Sequence, residues 1–138
     1  MSEEKKNVSA EADKKVNLTD PQEQLKLFGK GKMELAAPIR ADGKDVNTLK
    51  YDFTVLTGME FVEALDKDTG NSTLNAFKLT NKQALNLFAA AAAKVTDGID
   101  ATDIRERIGA IDSVKAVQLA TIFFSASNRA GNNRISNE

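Results

Sequence analysis

The chain contains neither cysteine nor histidine. Without thiols there are no disulfides and no thiolate metal sites, and nothing disfavours a reducing compartment such as the cytosol. Without imidazole, the commonest general base and the commonest transition-metal ligand are missing, and losing both residue types removes the usual parts of most enzyme mechanisms. The chain is therefore read as non-catalytic, with no catalytic, cofactor-binding or metal-binding residue assigned. Long apolar runs are also absent. No stretch approaches the ~20 residues of a membrane span, and the opening MSEEKKNVSAEADKK is charged where a secretory signal needs an apolar core. Excess charge of either sign is lacking too: 19 Lys and Arg against 20 Asp and Glu leave a net charge of -1. That balance provides no general attraction to nucleic acid or to an anionic membrane. A soluble intracellular protein is expected. There is no Walker loop, no dinucleotide fingerprint and no HExxH, and Gly29-Lys30-Gly31-Lys32 is too short to cradle phosphate.

What is present fits one domain of 138 residues with polar ends. Residues 1–31 mix Glu, Lys, Asn, Ser and Asp with scattered aliphatics, so a disordered, flexible arm is expected. Within it, DPQEQLKLF (Asp20 to Phe28) allows one helical turn with Leu25 and Phe28 on one side. Residues 128–138 lack periodicity and are expected to fray as a flexible tail. The expected folded domain is 32–127.

It opens with a hairpin over 32–55. Met33, Leu35, Ala37 and Ile39 alternate with Glu34, Ala36 and Pro38, and Leu49, Tyr51, Phe53 and Val55 alternate with Lys50, Asp52 and Thr54. In one continuous register, a two-residue Asp42-Gly43 loop would pair Leu35 with Lys50 and put opposite faces together. A three-residue loop, Ala41 to Gly43, pairs Leu35 with Leu49, Met33 with Tyr51 and Pro38 with Val46, and is the expected register. A two-stranded hairpin is marginal alone, so its apolar face must meet helices or another copy.

Helices are expected at about 57–68, 80–97, 102–109 and 112–127, making the fold α+β: a hairpin packed on a bundle of three to four helices. Thr57 with Glu60, and Thr80 with Gln83, have the form of capping boxes. Gly98 supplies a stop, Thr102 a cap, and Asp112 or Ser113 a cap for the last helix. The Ala89–Ala93 run suits a well-formed, tightly packed helix. The carboxylates of Asp66 to Thr73 have no calcium spacing and are read as solvated. Asp100 and Asp103 sit at a helix start, where capping explains them better than acid–base chemistry. Arg105, Arg107 and Lys115 lie among Asp100, Asp103, Glu106 and Asp112, so a mixed-charge face is preferred over a phosphate site. Ile104, Ile108 and Ile111 share a side. In the last helix Val114, Val117, Thr121 and Phe124 form one stripe, while Leu119, Ile122, Phe123 and Ala126 spread onto another. That apolar surface is wider than a single-sided helix needs, so the helix is either central or meets a partner. Phe124 and Ile122 are assigned to the core, with Phe123 open between the two roles. The candidate partner interface comprises Val46 and Thr48 on the hairpin with Leu119, Ile122 and Phe123 on the helix.

Leu35, Ala37-Pro38-Ile39, Asp42-Gly43-Lys44, Val46 and Leu49, followed by Asp103-Ile104, Asp112 and Ile122-Phe123-Phe124, carry a likeness. From Met33 to Ala126 the order of features resembles the small tail assembly chaperones of tailed bacteriophages, in the group typified by P2-like and Mu-like phages. The resemblance implies a non-catalytic protein that binds the long helical tape measure protein, keeps it soluble before the tail tube polymerises, and is left out of the mature virion. It also implies self-association into a homo-oligomer, recruitment of tail tube protein through a longer frameshift product, and residence in the host cell cytoplasm. Two alternatives stand beside it. One is a structural tail or connector subunit retained in the virion; the other is a small nucleic-acid-binding regulator using Arg105, Arg107 and Lys115.

Overall fold

The computed structural model describes residues 20–66 and 79–136. The expectations for residues 1–19, for the loop beyond Asp66 and for residues 137 and 138 lie outside them. The described elements are helix α1 (Pro21–Phe28), strands β1 (Lys30–Ala41) and β2 (Lys44–Asp52), a 3-10 turn (Phe53–Val55), and helices α2 (Gly58–Asp66), α3 (Asn81–Val95), α4 (Ala101–Arg107) and α5 (Ala110–Ser136). The two strands form one antiparallel hairpin, and it packs on the helices as the α+β reading expects.

The hairpin register differs from the expected one. The turn is the two-residue Asp42-Gly43, with φ of 55° and 75°, the left-handed pair that matches strand twist. Next to it Ala41 pairs with Lys44 and Ile39 with Val46; farther away Glu34 pairs with Thr48 and Met33 with Leu49. Between these zones β1 carries Leu35 to Pro38 where β2 carries only Asn47. This bulge offsets the register by three residues, an odd number, so it exchanges the faces that the short turn would have mismatched. Met33, Ile39 and Ala41 therefore reach the core together with Leu49 and Tyr51. Pro38 lies in the bulge rather than opposite Val46, a place where its missing donor breaks no ladder bond.

Strand β2 stops before Val55. The Asp52 carboxylate accepts from the Thr54 N–H at 2.9 Å and turns the chain into the 3-10 turn, leaving Val55 exposed. Residues 20–31, expected within the arm, instead form α1 and the first residues of β1. Gly29 makes this possible: its N–H donates to Leu25 O and its carbonyl accepts from Phe53 N–H, both at 2.8 Å. A Cβ there would collide with the Leu25 carbonyl, so the close approach needs glycine. Helix α1 then rests on α5 and β1.

Both expected capping boxes form. Thr57 N–H donates to Glu60 at 2.8 Å with the reciprocal bond at 3.1 Å, and Thr80 and Gln83 exchange bonds of 3.0 Å. Gly98, at φ 81°, follows the end of α3. The cap of helix α4 lies two residues before the expected Thr102, because Asp100 caps it in a box with Asp103, while Thr102 accepts from Arg105. The tail expectation also changes, since α5 runs through to Ser136 with Gly131 inside it. Among the described residues no helix is long and apolar enough to cross a membrane.

Helix α3 is the centre. It touches β2, the 3-10 turn, α2, α4 and α5. Ala84, Ala89, Ala91 and Ala92 are buried along it, and their small side chains let these neighbours approach. Phe88 and Leu87 fill the remaining space with Leu49, Ile39 and Ile104, all below 2 % exposed. Each such side chain contributes about 1.5 to 3 kcal/mol by leaving water.

Candidate partner-binding surface

Since α3 occupies the centre, the broad apolar surface of α5 has another explanation. The first turn of α5 carries Asp112, which is 5 % exposed and points inward. Its two carboxylate oxygens accept from the N–H groups of Ala36 and Ala37, at 2.8 and 3.1 Å, in the β1 bulge. Two backbone donors of the bulge that the β2 ladder does not pair are satisfied this way. The bond also sets the rotation of α5. With Asp112 inward, Ala116, Leu119, Ala120 and Phe124 follow at helical spacing into the core. Ile111, Val114 and Ile122 then face out, at 77 %, 59 % and 36 % exposed.

Beside this outer side, α5 and the start of α3 leave a groove of about 520 Å³. Val114, Val117 and Leu85 line it, with Asn81, Lys82 and Gln118 at its edges. A second, shallower cleft of about 400 Å³ opens where α1, the 3-10 turn, α2 and α5 meet. Phe53 and Phe123 stack there with centroids 4.7 Å apart, and Phe61 and Phe124 lie parallel at 6.5 Å. Both pairs join the cleft wall to the core, which holds Phe123 half-buried.

The five sequence-assigned interface residues do not form one patch. Leu119 is buried in the core and unavailable. Ile122, expected both in the core and among the interface candidates, lies on the outer side. Phe123 combines both roles through its stack on Phe53. Val46 and Thr48 lie on β2, where Val46 packs against the core and the Thr48 hydroxyl donates to Glu34 at 2.9 Å. The free edge of β2 is short. Phe53 pairs with Gly29, so stepping by two residues makes Tyr51–Gly31 and Leu49–Met33 the hydrogen-bonded pairs and turns the main chain of Lys50 and Thr48 outward. The Thr96 hydroxyl closes off Lys50, accepting from its N–H at 3.0 Å and donating to its carbonyl at 2.8 Å. Thr48 keeps an outward main chain.

Ile111, Leu85 and Val114 are not among the surface candidates that the sequence offers, where Val114 is one member of an apolar stripe with no side assigned to it. The available signal was Asp112 itself, an acidic residue in a helical phase otherwise filled by Ala116, Leu119 and Ala120. Arg107 is engaged as well: it donates to the Arg40 carbonyl at 2.7 Å and ties α4 to β1.

A third cleft, about 510 Å³, is lined by Glu60, Glu63, Asp66, Asn86 and Arg105. Among the described residues no three His, Cys, Asp or Glu side chains are placed to hold a metal ion. Glu60 bridges to Lys94 at 2.8 Å, and this bond, with help from the Thr57 N–H, holds its carboxyl below the usual glutamate range. A depressed pKa contributes stability above the unfolded-state value and loses it as the pH falls through the folded-state value. Glu60→Gln should therefore lower stability slightly at neutral pH, where the bridge is intact, and flatten the acid limb, the difference from wild type vanishing as the pH falls below the ordinary glutamate range. Denaturant titrations at several pH values would show this; an unaltered acid limb would count against the bridge.

No protein-family model matches the chain, and no characterised protein or solved structure is significantly similar to it.

Proposed function

We propose that the protein is a phage tail assembly chaperone. It binds the helical tape measure protein without catalysis, keeps it soluble, and helps recruit tail tube subunits in the host cytoplasm before being left out of the virion. The observation in its favour is the outer side of α5. The other sides of that helix are used by α1, α3 and β1, yet Ile111, Val114 and Ile122 remain in water beside an apolar groove. An open apolar helix side next to a groove suits capture of another amphipathic helix. Such burial contributes about 1.5 to 3 kcal/mol for each large side chain fully covered. Self-association fits the same role, with the outward main chain at Thr48 as an edge for a second copy.

Co-expression with the tape measure protein tests the proposal. The expected result is a soluble complex with several copies of this chain per target, from a target that is insoluble alone. Failure to form a complex, together with detection of this chain in purified virions by mass spectrometry, would replace the chaperone with a structural tail subunit.

A further inference from the structure

Resting on the chaperone reading, we infer that the groove between α3 and α5 receives an amphipathic helix with an apolar ridge and acidic flanks. The ridge requirement comes from the lining. Val114, Val117 and Leu85 form an apolar floor, and Ile111 and Ile122 continue it along α5. Ile111 to Ile122 spans eleven residues of helix, roughly 16 Å, enough for about three turns of a partner presenting side chains at i, i+3 and i+7.

The acidic requirement comes from charge. Helices α3 and α5 together carry a single carboxylate, Asp112, and it is turned inward onto Ala36 and Ala37. No exposed carboxylate on either helix therefore offsets Lys82 at the groove edge or Lys115, next in sequence to Val114 and exposed. Lys94, at the far end of α3, is paired with Glu60. A cationic border around an apolar floor favours glutamate or aspartate on the occupant's flanks and disfavours lysine. The same border opposes a second copy of this chain as occupant, because a two-fold contact through the groove would gather two sets of Lys82 and Lys115 in one interface, with no exposed carboxylate of α3 or α5 to meet them.

The test uses the full chain and two synthetic 18-residue helical peptides. Both present Leu at i, i+3, i+7 and i+11; one has Glu on the flanks and the other Lys. Isothermal titration should show the Glu peptide binding at least about tenfold more tightly, the effect of a few partly exposed charge pairs. Amide shifts should move around Leu85, Val114 and Val117. Val114→Glu, at a position already 59 % exposed, should abolish binding with no change in the thermal melt. The double variant Lys82→Glu, Lys115→Glu should reverse the peptide preference. Equal binding of the peptides, no binding of either, or shifts confined to the Phe123 cleft would overturn the inference. So would a fall in oligomer mass with Val114→Glu, which would make the occupant a second copy, or peptide-independent shifts in residues 1–19, which would make it this chain's own segment. The two readings separate in co-expression. If Val114→Glu still holds the tape measure protein in solution, the groove inference fails and the chaperone stands. If the peptides behave as expected but the tape measure protein is not held, the chaperone reading fails and the groove stands.

Discussion

Asp112→Ala should lower the unfolding free energy by about 2 to 4 kcal/mol. Hydrogen bonds to a charged acceptor contribute ~1.5 to 3 kcal/mol each, and water can recover part of the loss at the bulge, where Ala36 and Ala37 are exposed. Asp112 makes two such bonds, at 2.8 and 3.1 Å. Asp112→Asn should fall between wild type and Ala, because an amide keeps the shape but presents one acceptor oxygen and one donor to two N–H groups. The loss should be local as well as global: amide exchange at Ala36 and Ala37 should accelerate before that of the α3 core. The groove should suffer with it, since Asp112 sets which side of α5 faces out. Urea denaturation read beside hydrogen exchange is the check. Wild-type stability with unchanged protection at Ala36 and Ala37 would show that the bulge holds without the carboxylate.

Phe88→Ala is expected to cost about 3 to 5 kcal/mol, the range for deleting a buried aromatic ring from a packed interior. Phe88 is fully buried on the central helix, with its ring centroid 5.5 Å from Tyr51 and 6.4 Å from Phe53. It thus links α3 to the hairpin and, through the Phe53–Phe123 stack, to α5. A domain of this size has roughly 5 to 15 kcal/mol of total stability, so the variant should be partly unfolded at 37 °C or close to it. Circular dichroism melts and urea titration measure the effect. A loss below about 1 kcal/mol would mean that the neighbouring side chains collapse into the space, contrary to the tight packing that the buried alanines imply.

These two positions also divide what was legible. Thr57 with Glu60, Thr80 with Gln83, and Gly98 could be read because each signal acts over three or four residues and its energy is present within one helix end. Thr102 has the residue type of a cap, but Asp100, two residues earlier and with Asp103 at box spacing, takes that place. Among the interface candidates, Ile122 is exposed as that assignment expects, although core placement was also expected of it, whereas Leu119 is buried; Ile111 and Val114, exposed here, are not among the candidates. Their stripes were drawn from periodicity alone, which reveals that α5 has two apolar sides without saying which one is covered.

By itself, the sequence determined an α+β chain, a hairpin turning within Ala41 to Gly43, and the helix starts at Thr57 and Thr80, because patterning and capping depend on near neighbours; the last helix starts at Ala110, ahead of the expected Asp112 or Ser113 cap. Only the tertiary structure decided the hairpin register and the exposed side of α5. Both rest on one contact, the Asp112 carboxylate against Ala36 and Ala37, whose donors and acceptor are 76 and 75 residues apart in the chain. That contact contributes no energy until the hairpin and α5 have docked, so no local pattern in either segment carries its signature.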